Sequence, residues 1–244
     1  MKIEATILRQ EFLSEADREK MLKLKQRYFS HVLRKKFYRD LEEKQWVIVL
    51  RVGTSIEGFS TVQIISLSVA GKEIIYLFSG DTIVDRSCWN SPALAGSFGK
   101  VILKAMEIAG ERDLYWFLIS KGFRTYRFLP VFFNEYYPRF DRPTPSVFQT
   151  LLDAVAQFKF GDSYDKSNGI VLSNGTNDHL RLFMQKITSC RTEDPYIQFF
   201  LKKNPGYTKG DELACIAQLN KENMSRSAWW VIRNTAVTWE VTRA

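Results

Sequence analysis

Residues 114–120, LYWFLIS, are an unbroken apolar run closed by a serine. A strand without polar alternation must be covered on both faces, so it belongs inside a sheet with layers above and below. The segment before it switches period. Ser91-Pro92 supplies a helix start, and Gly110 a stop. Between them Leu94, Phe98, Val101, Ile102, Ala105 and Ile108 share one stripe, predicting a helix over about 92–110. Upstream again, KEIIYLFSGDTIVD (72–85) is strand-like. Strand, helix, strand requires a crossover, and hence a parallel pair formed by 72–85 and 114–120.

The other elements arrange themselves around that unit. KIEATILR (2–9) alternates as a first strand, and Ser14-Glu15-Ala16-Asp17 caps and charges a helix running to about Phe29. Val32, Leu33, Phe37 and Leu41 predict a second helix over 31–43. Strands at 46–53 and 57–69 join 72–85 through short turns as an antiparallel meander. After 120, a helix is expected from about Thr125 to Tyr137, kinked or broken at Pro130 and stopped by Pro138. A helix over 144–158 would carry Pro145 in its first turn, and 161–179 is loop-rich with a short strand at Ile170–Leu172. Short helices at 180–187 and 195–203, a strand at 211–219 and a helix at 221–233 capped by Asn220 complete the pattern. The RPTP segment at 142–145 suggests a boundary between a core, 1–142, and an extension, 143–244, that completes or covers it as one structural unit. The expected class is α/β of the α+β kind. A mixed, mostly antiparallel central sheet is flanked by helices and carries a C-terminal elaboration of about 100 residues.

The 244 residues are 45% hydrophobic and 25% charged, which are globular values that set disorder aside. No apolar run reaches the roughly 18–20 residues of a membrane span, and the first twenty residues lack the order of a signal peptide. Cysteines at 88, 190 and 215 are far apart and point to a reducing, cytoplasmic compartment. Two histidines, His31 and His179, and no CxxC pair leave no zinc site and no expected metal. The Asn174-Gly175-Thr176 sequon is read as chance spacing. A net charge of +8 suits an acidic partner: a phosphate-bearing cofactor, an acidic acyl carrier protein, an anionic membrane face or nucleic acid. Nucleic acid ranks last, because no RRM, KH or helix-turn-helix pattern is present. Lys20, Lys23, Lys25, Arg27, Arg34, Lys35, Lys36 and Arg39 fall on two amphipathic helices, where they read as a solvated face.

A glycine-containing turn leading from a strand into a helix is a ready anion site. Gly96, Ser97, Phe98, Gly99 and Lys100 supply such a segment, with spacing that fits neither a Walker A loop nor GxGxxG. Alternatively the turn lies upstream at Trp89–Ser91. Gly96 and Gly99 then sit inside the helix and only permit close packing.

The order of elements, together with TIVDRSCWNSPALAGSFGKVILKAM (82–106) and SKGFRTYRFLPVFFNEYYPRF (120–140), resembles the GNAT superfamily of N-acetyltransferases over about residues 1–140. No arginine stands directly before Gly96, and the third small residue of that family's glycine pattern is missing. The resemblance implies an acyltransferase moving an acyl group from acetyl-CoA, another acyl-CoA or an acyl-carrier-protein thioester directly to an amine or amino-acid acceptor. It implies strands 72–85 and 114–120 splayed around the donor, with Val84, Gly96, Ser97, Phe98, Gly99, Lys100 and Tyr126 binding it. Asp81 or Asp85 would act as base and Tyr136 or Tyr137 would protonate the departing thiolate, with Glu135 and Tyr126 as further candidates. Cys88 has no histidine near it in sequence and is set aside as a nucleophile. Phe128, Phe132, Phe133, Tyr136 and Tyr137 suggest either a roomy apolar channel for a long acyl chain or ordinary core packing. A protein of the same fold that binds the thioester without catalysis is the alternative, and a basic nucleic-acid-binding protein the second.

Overall fold

The computed structural model describes residues 2–173, 178–186 and 193–240. In chain order the elements begin β1 (Glu4–Arg9), α1 (Glu15–Tyr28), β2 (Phe29–Ser30), α2 (Arg34–Glu42), β3 (Trp46–Val52), β4 (Ser55–Val69), β5 (Lys72–Val84), α3 (Ala93–Ala109) and β6 (Leu114–Ser120). They continue with α4 (Phe123–Tyr126), α5 (Phe128–Phe132), α6 (Ser146–Phe160), β7 (Tyr164–Asp165), β8 (Ile170–Val171), β9 (His179–Leu180) and α7 (Leu182–Gln185). The last are α8 (Pro195–Lys203), β10 (Glu212–Gln218), α9 (Arg226–Asn234) and β11 (Thr238–Glu240).

One large sheet runs β11-β1-β3-β4-β5-β6-β10-β8-β7. Its pairs are antiparallel except β5 with β6 and β1 with β11. The fold is thus a mixed α/β arrangement with a large, mostly antiparallel sheet flanked by helices, as expected. β6 is buried on both faces: Leu114, Trp116 and Leu118 enter one core cluster, Tyr115 and Phe117 another. Each such side chain contributes about 1.5–3 kcal/mol by leaving water. β5 divides likewise, with Ile75 and Leu77 on one side and Tyr76 and Phe78 on the other. The first side is covered by α3, α5, α8 and α9. The second is shared by α1 and α2, packed over β3 and β4, and α6, packed over β5, β6 and β10.

Ser14 caps α1 by accepting from the Asp17 N–H at 3.1 Å. Three expectations need correction. The helix expected over 125–137 is two short pieces, α4 and α5, interrupted at Arg127. Beyond Phe133 the chain is extended, because Phe133 bridges to Met224 and Tyr137 to Ile216. Pro145 precedes α6 instead of lying within its first turn. The final helix starts at Ser225, whose hydroxyl accepts from the Ala228 N–H, while Asn220 only closes a turn onto the Asn223 N–H. β11 was not anticipated at all.

Residues from the last hundred enter the main sheet directly, β10 beside β6 and β11 beside β1. α9 lies against α3, and the contact depends on two glycines. A Cβ on Gly96 would overlap the Thr235 side chain, and a Cβ on Gly99 would overlap Ile232. Gly99→Ala should therefore destabilise the fold by about 1–3 kcal/mol in urea titration. Ile232→Val in the same chain should recover part of that loss. An additive double variant would show that the two residues do not share this contact.

Candidate functional site

The parallel ladder between β5 and β6 runs from Ile75 opposite Leu114 to Ser79 opposite Leu118, and stops there. At that point β5 changes register against β4, from Val62 opposite Ser79 to Ser60 opposite Thr82. Gly80 and Asp81 thus face Thr61 alone, which makes a bulge and bends the strand. Gly80 is needed there, since a Cβ would lie 2.5 Å from Thr61 Oγ1 and 2.8 Å from Lys44 Cε. Past the bulge, the Asp85 N–H donates to Glu57 O at 2.7 Å. Strand alternation therefore turns the peptide groups of Thr82 and Val84 toward the β6 side. β6 meanwhile pairs Ile119 and Ser120 with Ala214 and Leu213 of β10. A gap with a free backbone edge opens between β5 and β6. The carbonyl of Val84 on that edge accepts from Trp89 Nε1 at 2.8 Å.

On the face of α1, α2 and α6 the gap opens into a cavity of about 380 Å³. Five charged side chains form an alternating chain along its wall. Lys25 Nζ meets the Asp81 carboxylate at 2.6 and 2.7 Å and Asp178 Oδ2 at 2.9 Å. Lys121 Nζ meets Asp178 Oδ1 at 2.9 Å and Glu212 Oε1 at 3.3 Å. Burial pushes the Lys25 ammonium down, but Asp81 and Asp178 outweigh it and hold it charged. Lys121 behaves the same way, with Glu212 and Asp178 outweighing burial. Burial would raise the Asp178 carboxyl, yet the two ammoniums hold it well below the usual carboxylate range. For Glu212 burial wins over Lys121 and its pKa rises.

Of this chain, the sequence reading singled out only Asp81, as a base. Lys25 was placed on a solvated face and is instead buried. The signal was present: with Met21, Leu22, Leu24 and Tyr28 it lies on the apolar stripe of α1. Lys121 follows directly on β6, but Asp178 and Glu212 carried no local signal. His31 and His179, read as isolated, stack with ring centroids 4.9 Å apart where β2 pairs with β9.

The remaining predicted residues are dispersed. Asp85 is bound up: it accepts from Ser87 N–H and Oγ, from Tyr28 Oη at 2.9 Å and from Arg27 at 2.6 Å. Burial raises its pKa, but these donors prevail and bring it down to about 2, too weak a base near neutrality. Gly96, Ser97, Phe98, Gly99 and Lys100 lie inside α3, not in a turn before it. The Gly96 N–H already donates to Pro92 O at 2.8 Å, and the Ser97 hydroxyl donates to Ala93 O at 2.7 Å. Phe98 packs on Trp116, with centroids 4.9 Å apart. The first-turn donors fall at 93–95. Before them the guanidiniums of Arg86 and Arg124 stand 5.4 and 5.1 Å from the Trp89 ring.

Tyr126 is buried and its hydroxyl donates to Pro138 O at 3.0 Å. Tyr136 is buried beneath Arg139, 5.0 Å from its ring. Tyr137 faces the other side of the sheet, against Phe148, and its hydroxyl donates to Glu135 at 2.9 Å. Burial is the main cause raising all three phenol pKa values. The apolar channel is filled. Phe128, Phe132 and Phe133 with Phe98 and Trp116 leave about 20 Å³, room for roughly one water. Cys88 and Cys215 are buried free thiols, while Cys190 and the 174–176 sequon lie outside the described residues. Among the described residues no helix is long and apolar enough to cross a membrane, and no group of three or more His, Cys, Asp and Glu could hold a metal ion.

No protein-family model matches the sequence, and no curated protein matches it. Solved structures do show a partial likeness. A conserved protein of unknown function from Enterococcus faecalis V583 is similar over 52% of this chain and 31% of its own, at 8% identity and a TM-score of 0.42. A GCN5-related N-acetyltransferase from Kribbella flavida is similar over 55% of this chain and 34% of its own, at 12% identity and a TM-score of 0.41. Arabidopsis thaliana NAA60, solved with a bisubstrate analogue, is similar over 55% and 86% respectively, at 13% identity and a TM-score of 0.39. This chain thus spans about a third of the length of the first two.

Two outcomes follow from the charges. Lys25→Met leaves Asp81 and Asp178 buried with less compensation, and should cost about 3–5 kcal/mol in urea unfolding at neutral pH. The lowered pKa of Asp85 gives stability that is present above the ordinary carboxylate value, near 3.9. It is lost as pH falls from there toward about 2. Asp85→Asn should remove about 2 kcal/mol at pH 7. The variant should also lose less stability than the parent between pH 5 and pH 2.

Proposed function

We propose that this chain is an acyltransferase that moves an acyl group from a thioester directly to an amine. One observation carries the reading: parallel pairing ends at Ser79 and Leu118, and the gap beyond joins a free backbone edge to a charged cavity. A thioester in the gap would present its carbonyl to the N–H groups of Thr82 and Val84. Donors fixed before the reaction stabilise the charge that develops on that oxygen. The amine would sit in the cavity. Its attack on the carbonyl carbon forms the amide and breaks the C–S bond, and the sulfur leaves as thiolate, taking through water the proton that the nitrogen sheds as the amide forms.

The amine must first lose a proton. Both Glu212 and Asp81 are paired with a lysine, but Glu212 suits this better: its contact with Lys121 is longer, 3.3 Å against 2.6 Å, and burial raises its pKa. A carboxyl whose pKa is raised holds a proton more readily than an ordinary one. Tyr126 and Tyr137 donate to Pro138 O and Glu135, and neither they nor the buried Tyr136 line the charged cavity, so the three are given no part. The donor would be acyl-CoA, with its phosphates on the first turn of α3 and on Arg86 and Arg124, or an acyl carrier protein drawn by the net charge of +8. Gly96 and Gly99 pack against Thr235 and Ile232 and take no part in holding a phosphate in this reading or in the second one, a thioester-binding protein without turnover.

Thermal melting with acetyl-CoA, longer acyl-CoAs and free CoA separates these readings when combined with a thiol-release assay. Saturating donor should stabilise by about 2.7 kcal/mol at a hundred times Kd, and thiol release should require an amine. Glu212→Gln should lower kcat/KM by about 10²–10⁴ with donor binding kept. In the parent, kcat/KM should rise with pH through the raised Glu212 pKa. A melting shift without thiol release supports the binding protein; neither signal with any CoA thioester or acyl carrier protein sinks both.

A further inference from the structure

Asp178 differs in origin from the other members of the charged chain. Asp81 and Glu212 belong to strands of the main sheet, whereas Asp178 belongs to a strap, residues 178–186, outside that sheet and is its one member lining the cavity. The two lysines that meet it are held independently of the strap. Lys25 is on the buried stripe of α1 and Lys121 at the end of β6. Both ammoniums lie over the Phe29 ring, 6.0 and 5.7 Å from its centroid. Each also keeps a carboxylate of its own, Lys25 with Asp81 and Lys121 with Glu212.

We infer that Lys25 and Lys121 form a buried carboxylate-binding site filled here by the chain's own Asp178. The ligand of the cavity is then a small molecule whose carboxylate exchanges with that side chain. A carboxylate at this point stays ionised, as the lowered pKa of Asp178 indicates. Asp178 lines the cavity of about 380 Å³, and the next residue, His179, lines another of about 550 Å³ together with His31 and Asp211. The strap's strand pairing is short, β9 meeting β2 only at Phe29–Leu180 and Ser30–His179, while its later part is held by Arg86 on Phe183 O, Arg124 on Met184 O and Gln185 on Thr208 O. Arg181 adds bonds to Gln26 O and Tyr28 O. A ligand that enters must replace the contacts of Lys121 with Asp178, including that to its backbone oxygen at 3.0 Å. The volume admits a molecule the size of an amino acid or a short dicarboxylate. The inference needs only the cavity and not the acyl-transfer reading.

The test uses the full chain and Asp178→Ala. In sodium chloride the variant should melt roughly 6–20 °C below the parent. Sodium acetate or succinate at the same ionic strength should restore much of the loss in a saturable way. Sodium phosphate should restore less, and Lys121→Met in the same chain should abolish the response. Equal melting in acetate and chloride would overturn the site. The parent gives a second reading that does not depend on the variant folding. Succinate should speed hydrogen exchange of amides within 178–186 by about tenfold relative to chloride, as the strap is released. Unchanged exchange would overturn the displacement of Asp178.

Discussion

Two residues of β5, Gly80 and Asp81, face one residue of β4, and from that point β5 no longer pairs with β6. The mismatch is local, but an interior parallel pair that parts inside a sheet exposes peptide groups which must find partners or water. Trp89 closes one of them by donating to Val84 O. The rest border a cavity whose wall is charged. The bulge thus accounts for ionic groups lying deep in a sheet whose buried side chains on β3, β4 and the first half of β5 are otherwise apolar apart from Ser60 and Thr61.

Buried ions are weak evidence for stability, since removing two charges from water costs more than a single contact returns unless each is met on several sides. Here each lysine meets two carboxylates, and the chain crosses α1, β5, the strap, β6 and β10. Five separate segments must be in place before any of these charges is compensated. The gain is therefore in specificity of arrangement. It ties the helices of one half of the molecule to the strands of the other exactly across the gap, where backbone pairing is missing.

The crossover was legible because its signals are local. LYWFLIS has no polar alternation, and Ser91-Pro92 and Gly110 bracket one helical stripe. The bulge was not, because Gly80 and Asp81 look like ordinary strand residues until the register of β4 is known. The pair Gly96 and Gly99 admitted two meanings, a phosphate turn or close packing, and only α9, more than a hundred residues later, decides for packing. Lys25 could have been found, since an ammonium on the apolar stripe of α1 is anomalous without a buried partner. Asp178 and Glu212 could not, for their importance comes from neighbours distant in sequence. The stretch 125–137 misled because its apolar spacing suits a helix, while its bridges to Ile216 and Met224 hold the later part extended.

The seating of α9 on Gly96 and Gly99, with β11 beside β1, also has a meaning in time. During synthesis β1, α1, the meander and α3 leave the ribosome long before residues 226–240 do. Until then the outer edge of β1 offers unpaired peptide groups, and the glycine face of α3 lies bare. Exposed strand edges invite pairing with other chains, and contacts between distant segments form slowly. The nascent chain therefore carries an open edge and a bare groove until its last segments arrive to close both.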